Sequence, residues 1–185
     1  MISSQVASAQ APLRAQYRTD PTKAMVTDHA VAAGGTAADP FHSVVRPMPR
    51  SGAELSVGVH RAIGGPHDAP TPGDILCAAL AACQDSAVRM AANALGVELE
   101  YLKVEVSGDV DVRGTMLIDN AVPVGFQKMS CDVQLRARKG TRSELLEKLR
   151  SVAERICVVQ QTLRNPPQVR TTFDMNNAGG VLPGA

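Results

Sequence analysis

Between Ala53 and Val59 apolar and polar positions alternate, with Ala53, Leu55, Val57 and Val59 set against Glu54, Ser56 and Gly58. That is the period of a strand with one apolar face. Arg61 continues the inward parity, which predicts a charge that is paired or serves a site, because an unpaired buried charge is costly. The same period returns at Leu102, Val104, Val106, Val110 and Val112, interleaved with Lys103, Glu105, Ser107, Asp109 and Asp111. From Phe126 to Arg138 it returns again, Met129, Cys131, Val133 and Leu135 forming the inward set. These two segments predict an antiparallel pair with one wet face. Shorter runs at Lys23 to Ala33, Phe41 to Met48 and Gln168 to Phe173 read as further strands.

Two segments carry the helical period instead. Pro72 suits a first helical turn and Asp74 complements the positive end of the helix dipole. From there a helix runs to Gly96, apolar all round as far as Cys83, the pattern of a helix buried on most sides. The second helix opens with a capping-box signature, Thr141 and Glu144, and carries Leu145, Leu146, Leu149, Val152, Ala153 and Ile156 at helical spacing up to Cys157. A short helical stretch to Leu163 follows, stopped by Asn165 and two prolines. This order predicts an α+β fold, sheet covering buried helices, as one domain over 23–175. Residues 1–22 show neither period and 176–185 are rich in Gly and Asn, so both ends read as tails.

Composition narrows the function classes. A net charge of +1, from 19 basic and 18 acidic residues, creates no field for phosphates or anionic lipid. With three Phe, two Tyr and no Trp, the stacking platforms of single-strand binders are missing. No nucleic-acid partner is therefore expected. The longest uncharged apolar run, Ile75 to Cys83, falls short of the ~20 residues a bilayer needs, so no membrane partner is expected either. The first twenty residues lack a basic stretch followed by an apolar one, the mark of a secretory signal, and a cytoplasmic location is expected. Four cysteines in such a chain predict reduced thiols, apart from pairs that cycle through a disulfide. His29, His42, His60 and His67 lack metal-site spacing, so no metal or cofactor is expected.

Two cysteines stand in long motifs of their own: Cys83 in TPGDILCAALAACQDSAVRMAANALGV (71–97) and Cys157 in AERICVVQQTLRNPPQV (153–169). Together, in this order and with a strand pair between them, they resemble the OsmC/Ohr family over about residues 23–175. The resemblance implies antiparallel sheets wrapped around central cysteine-bearing helices in an intertwined homodimer. It also implies a cysteine-based peroxidase acting on organic hydroperoxides or hydrogen peroxide. Cys83 would attack the peroxide and Cys157 would resolve the sulfenic acid as a Cys83–Cys157 disulfide, which a dithiol then reduces, lipoylated proteins being among the family's donors.

On the same resemblance Arg61 would be the thiolate's partner, with Asp74 holding it by a carboxylate fork. Two positions depart from the organic-hydroperoxide branch: Gly73 stands where that branch has Glu, and Val158 where a proline is common, which leaves the substrate branch open. Cys77 lies six residues before Cys83, on another helix face, and with Cys131 reads as core. The rival reading is a non-enzymatic dimer of the same fold whose cavity binds a small apolar ligand.

Overall fold

The computed structural model describes residues 4–33 and 35–175. The predicted tail 176–185 lies outside them. The architecture is α+β with antiparallel sheets, and two of its elements place the site: a central helix and the junction between two later helices.

The central helix α2 (Pro72–Leu95) is built as the sequence implies at both ends. Thr71 accepts from the Asp74 amide at 3.3 Å, and Asp74 Oδ2 accepts from the Thr71 amide at 2.8 Å, a reciprocal capping box. Gly96 ends the helix at φ +70°, a conformation that suits glycine. The antiparallel pair β4 (Leu99–Asp109) and β5 (Lys128–Ala137) packs against it. In their register Val106 faces Cys131 and Val104 faces Val133, so the apolar set shares one face. Leu102, Val106, Met129, Cys131 and Leu135 lie on the core.

The amphipathic helix α4 (Ser143–Ile156) closes the other side of α2 and places Leu149 and Ala153 at 0% and 1% exposure. A seven-residue helix α5 (Val158–Arg164) follows at once, with Cys157 as the hinge between them. The Thr141 capping box is not formed. Its hydroxyl donates to the Arg138 carbonyl at 2.7 Å, and α4 starts after Arg142 without a side-chain cap.

The N-terminal sheet has the order β1 (Ala30–Ala32), β2 (Ser43–Pro47), β3 (Leu55–Val57), all antiparallel. Its packing is mainly among its own strands, and Val31, Phe41 and Leu55 remain exposed. The predicted strand at 23–33 is mostly a 3-10 turn (Pro21–Ala24) and an extended lead-in to β1. Two expectations are corrected. Residues 5–19 form a helix, α1 (Gln5–Thr19), where no period is legible, and it lies against α2. Residues 168–173 form no strand. A one-turn helix α3 (Val112–Thr115) takes the end of the run predicted as strand.

By length and composition α2 could cross a membrane, its most apolar 18-residue window averaging a hydropathy of 1.3. In this fold the same character has another use, since β4, α4 and α5 pack on it.

Candidate functional site

Cys83 sits mid-way along α2, half-buried, on the side facing the α4–α5 junction. Cys157 forms that junction and is fully buried. The turn there (φ −74°, ψ 100° at Cys157) leaves the first amides of α5 free of helical partners. One of them, the Val159 N–H, donates to Cys83 Sγ at 3.5 Å. The Cys83 thiol lies near enough to influence the ionisation of Cys157. Burial pushes the Cys157 thiol up to about 11, the contact with Cys83 adds to the rise, and a hydrogen bond from the Gln160 amide works against it. Cys157 therefore keeps its proton at neutral pH. The structure thus brings together the two cysteines that the sequence motifs single out.

Cys131 lies close enough to Cys157 for its charge to be felt there, and burial raises its own thiol as well. Cys77 faces the opposite side of α2, its thiol raised by burial and by Asp74. Nine residues along a helix is about 13.5 Å and half a turn out of phase. Asp74 and Cys83 are separated by that interval on α2, so they point apart. The Asp74 carboxylate is committed elsewhere: Oδ2 accepts from the Thr71 amide and from Thr71 Oγ1, each at 2.8 Å. These bonds hold its pKa below the usual carboxylate value.

Arg61 corrects the inward-parity expectation. The strand ends at Val57, and Arg61 opens a 3-10 turn capped by the His60 ring, with its side chain exposed. Among the described residues no Arg61–Asp74 ion pair forms. Both belong to the region around the start of α2, beside a cavity of about 1090 Å³ that His60, Asp74 and Cys77 line together with Phe126. Cys83 opens instead into a separate cleft of about 320 Å³.

A thiol on a central apolar helix and a second at a helix junction, within reach across the core, are the parts that the two motifs describe. The family model for OsmC-like proteins matches residues 65–172, which contain both. The chain belongs to the OsmC-like family. Solved structures agree on the fold. An OsmC-like protein from Mycoplasma pneumoniae superposes with a TM-score of 0.59 at 11% identity, covering 76% of this chain and 89% of the other. An organic hydroperoxide resistance protein OsmC from Legionella pneumophila gives 0.55 at 24% identity, covering 76% and 91%. An organic hydroperoxide resistance protein from Elizabethkingia anophelis gives 0.52 at 21% identity, covering 77% and 91%. Comparison with curated proteins gave no match.

In this OsmC-like protein two residues near Cys83 escaped the sequence reading. Arg14, on α1, is the cation that lines the Cys83 cleft, facing it with Val6 and Gln10. Gln10 Oε1 accepts from Arg14 Nη2 at 2.8 Å and so orients the guanidinium. No motif marks Arg14, and only the i, i+4, i+8 spacing of Val6, Gln10 and Arg14 could have placed the three on one helical face. The second is Gln84, next to Cys83 and only 4% exposed, whose Oε1 accepts no hydrogen bond. A buried polar atom left so is uncommon. Among the described residues no group of His, Cys, Asp and Glu is placed to hold a metal ion.

Proposed function

We propose that this OsmC-like protein is a thiol-dependent peroxidase acting on organic hydroperoxides or hydrogen peroxide. The observation that carries the reading is the meeting of Cys83 and Cys157 across the core, with Cys157 kept protonated. Cys83 reacts as the thiolate, the nucleophilic form of cysteine. Its sulfur attacks the terminal peroxide oxygen, the O–O bond breaks, and the electron pair leaves on an alkoxide that takes up a proton. Sulfur has lost two electrons and become a sulfenic acid. The Cys157 sulfur then attacks Cys83, and the departing hydroxide leaves as water with the Cys157 proton. An external dithiol, such as a lipoyl group, reduces the disulfide by two successive exchanges.

Arg14 is the cation available in this cleft to the Cys83 thiolate and to the departing alkoxide, whereas the family resemblance assigned the thiolate's partner to Arg61. In the subunit Asp74 closes the capping box on Thr71 at the start of α2. Assembly as a homodimer is supported by two uncovered faces: the sheet β1–β3, and the α2 stripe of Ala78, Ala79 and Ala82, all exposed in the single subunit. The proposed location is the cytoplasm, whose reducing poise returns the thiols to their active form.

The test is loss of free thiols on adding one equivalent of alkyl hydroperoxide to the reduced protein, with peptide mapping. Rapid formation of a Cys83–Cys157 bridge is expected, and Cys83→Ser should abolish turnover. Turnover that survives Cys83→Ser, or thiols that do not react, would sink the reading. The second reading, a non-enzymatic binder of a small apolar ligand, is favoured by the cavity of about 1090 Å³ walled by Ile63, Val106, Val110 and Phe126. Apolar ligands that raise Tm while the thiols stay inert to peroxide would select it.

A further inference from the structure

The helix α1 precedes the part of the chain that the family model matches, 65–172, yet it forms one wall of the Cys83 cleft. Val6, Gln10 and Arg14 make that wall, and Ser86, Met90 and Ile156 face them across it. The half-open space, about 320 Å³, is worth about ten waters at ~30 Å³ each. It sits at the lower end of small-molecule sites, roughly 300–1,000 Å³. A slender molecule fits beside Cys83 there.

The wall is anchored at one end. Ser4 caps α1 by accepting from the Ala7 amide at 3.1 Å. The same Ser4 hydroxyl donates to Asn93 Oδ1 at 2.8 Å, and the Val6 amide donates to that oxygen at 2.9 Å. Beyond this anchor the helix is lightly held. None of its residues is buried, and Pro12 interrupts its interior, removing an amide donor there. Elements with few buried contacts open locally at low cost. The two hydrogen bonds to Asn93 are polar ties between the start of α1 and α2.

We propose that α1 is a hinged cover that sets the size of molecule admitted to Cys83, so that slender hydroperoxides reach the thiol and bulky ones reach it only when the helix lifts from Asn93. The inference rests on Cys83 as the reacting thiol. It is tested without peroxide, so it and the peroxidase reading can fail separately.

The experiment uses the full chain in a Cys77→Ser, Cys131→Ser background, where buried Cys157 is shielded and alkylation reports Cys83. Rates are measured with iodoacetamide and with a pyrenyl maleimide. In the parent the large reagent should be strongly disfavoured. Asn93→Ala should raise the ratio of large- to small-reagent rates about tenfold or more, since tenfold is ~1.4 kcal/mol and the two hydrogen bonds removed together contribute at least about that much. Gln10→Pro, which breaks α1 without touching the core, should do the same. A ratio unchanged in both variants would overturn the proposal. Equal acceleration of both reagents would overturn it too, because it would indicate general loosening and no selection by size.

Discussion

The proton on Cys157 can be weighed. Its folded-state pKa is raised from 9.0 to about 11, with burial the largest cause. In an unfolded chain the thiol ionises freely above about 9. Between these values the folded state holds a proton that the unfolded state has released, so stability falls as pH rises through this window. Two pH units at 1.36 kcal/mol each amount to roughly 2–3 kcal/mol, fully present below pH ~9 and lost by pH ~11. The perturbation is Cys157→Ala, which cannot titrate. Urea unfolding of the reduced wild type and variant, from pH 7 to 11, gives a stability difference against pH. That difference should be flat to about pH 9 and should then shift by roughly 2–3 kcal/mol at the wild type's expense. Thiolate absorbance near 240 nm should lose its highest-pH component in the variant. Parallel stability curves across the whole range would refute the reasoning, and with it the picture of Cys157 as a thiol that holds its proton until Cys83 is oxidised.

Other consequences can be checked singly. Leu149→Ala removes a side chain with no exposure from the α2–α4 contact, and should cost about 2–5 kcal/mol in a denaturant melt. Gln84→Leu removes a buried carbonyl that has no partner, and should raise stability by about 1–2 kcal/mol; a loss instead would reveal a donor at that atom. Gly65→Ala would drive a methyl into the Val59 carbonyl, whose neighbour is backbone, and should lower Tm sharply, with a cost of at least ~2 kcal/mol. His42 bridges Asp39 and Asp68 at 2.8 and 3.2 Å, and these bonds, Asp39 first, raise its pKa above 6.5. Its tether is complete below the unfolded value and lost as pH rises through the raised one, so an NMR titration of the His42 ring should show a midpoint above 6.5.

What the sequence shows of the fold depends on whether the covering surface lies in the same chain. The alternation in β4 and β5 is legible because α2 covers the face it defines. Residues 168–173 carry a strand's composition, but composition alone does not pair a segment, and no strand takes them up. The four-residue capping signature occurs twice. At Thr71 the box closes, while at Thr141 the hydroxyl finds the Arg138 carbonyl first. α1 escapes notice because its weak apolar face is seated through polar contacts with Asn93, and a periodicity count is blind to those. The two cysteines stand out by their motifs, whereas Arg61 rested on the family resemblance and on a strand parity that stops at Val57.

The two central thiols neighbour each other in the core but stand roughly 75 residues apart along the chain. A bond between them would tie the unfolded ensemble into a ring of that length, and the lost loop entropy corresponds to about 4 kcal/mol in favour of the folded form. Oxidation would then leave a mark besides chemistry. The oxidised molecule would melt later and resist proteolysis longer than the reduced one, so the lifetime of each molecule would carry a record of whether it had met an oxidant and still awaited its reductant.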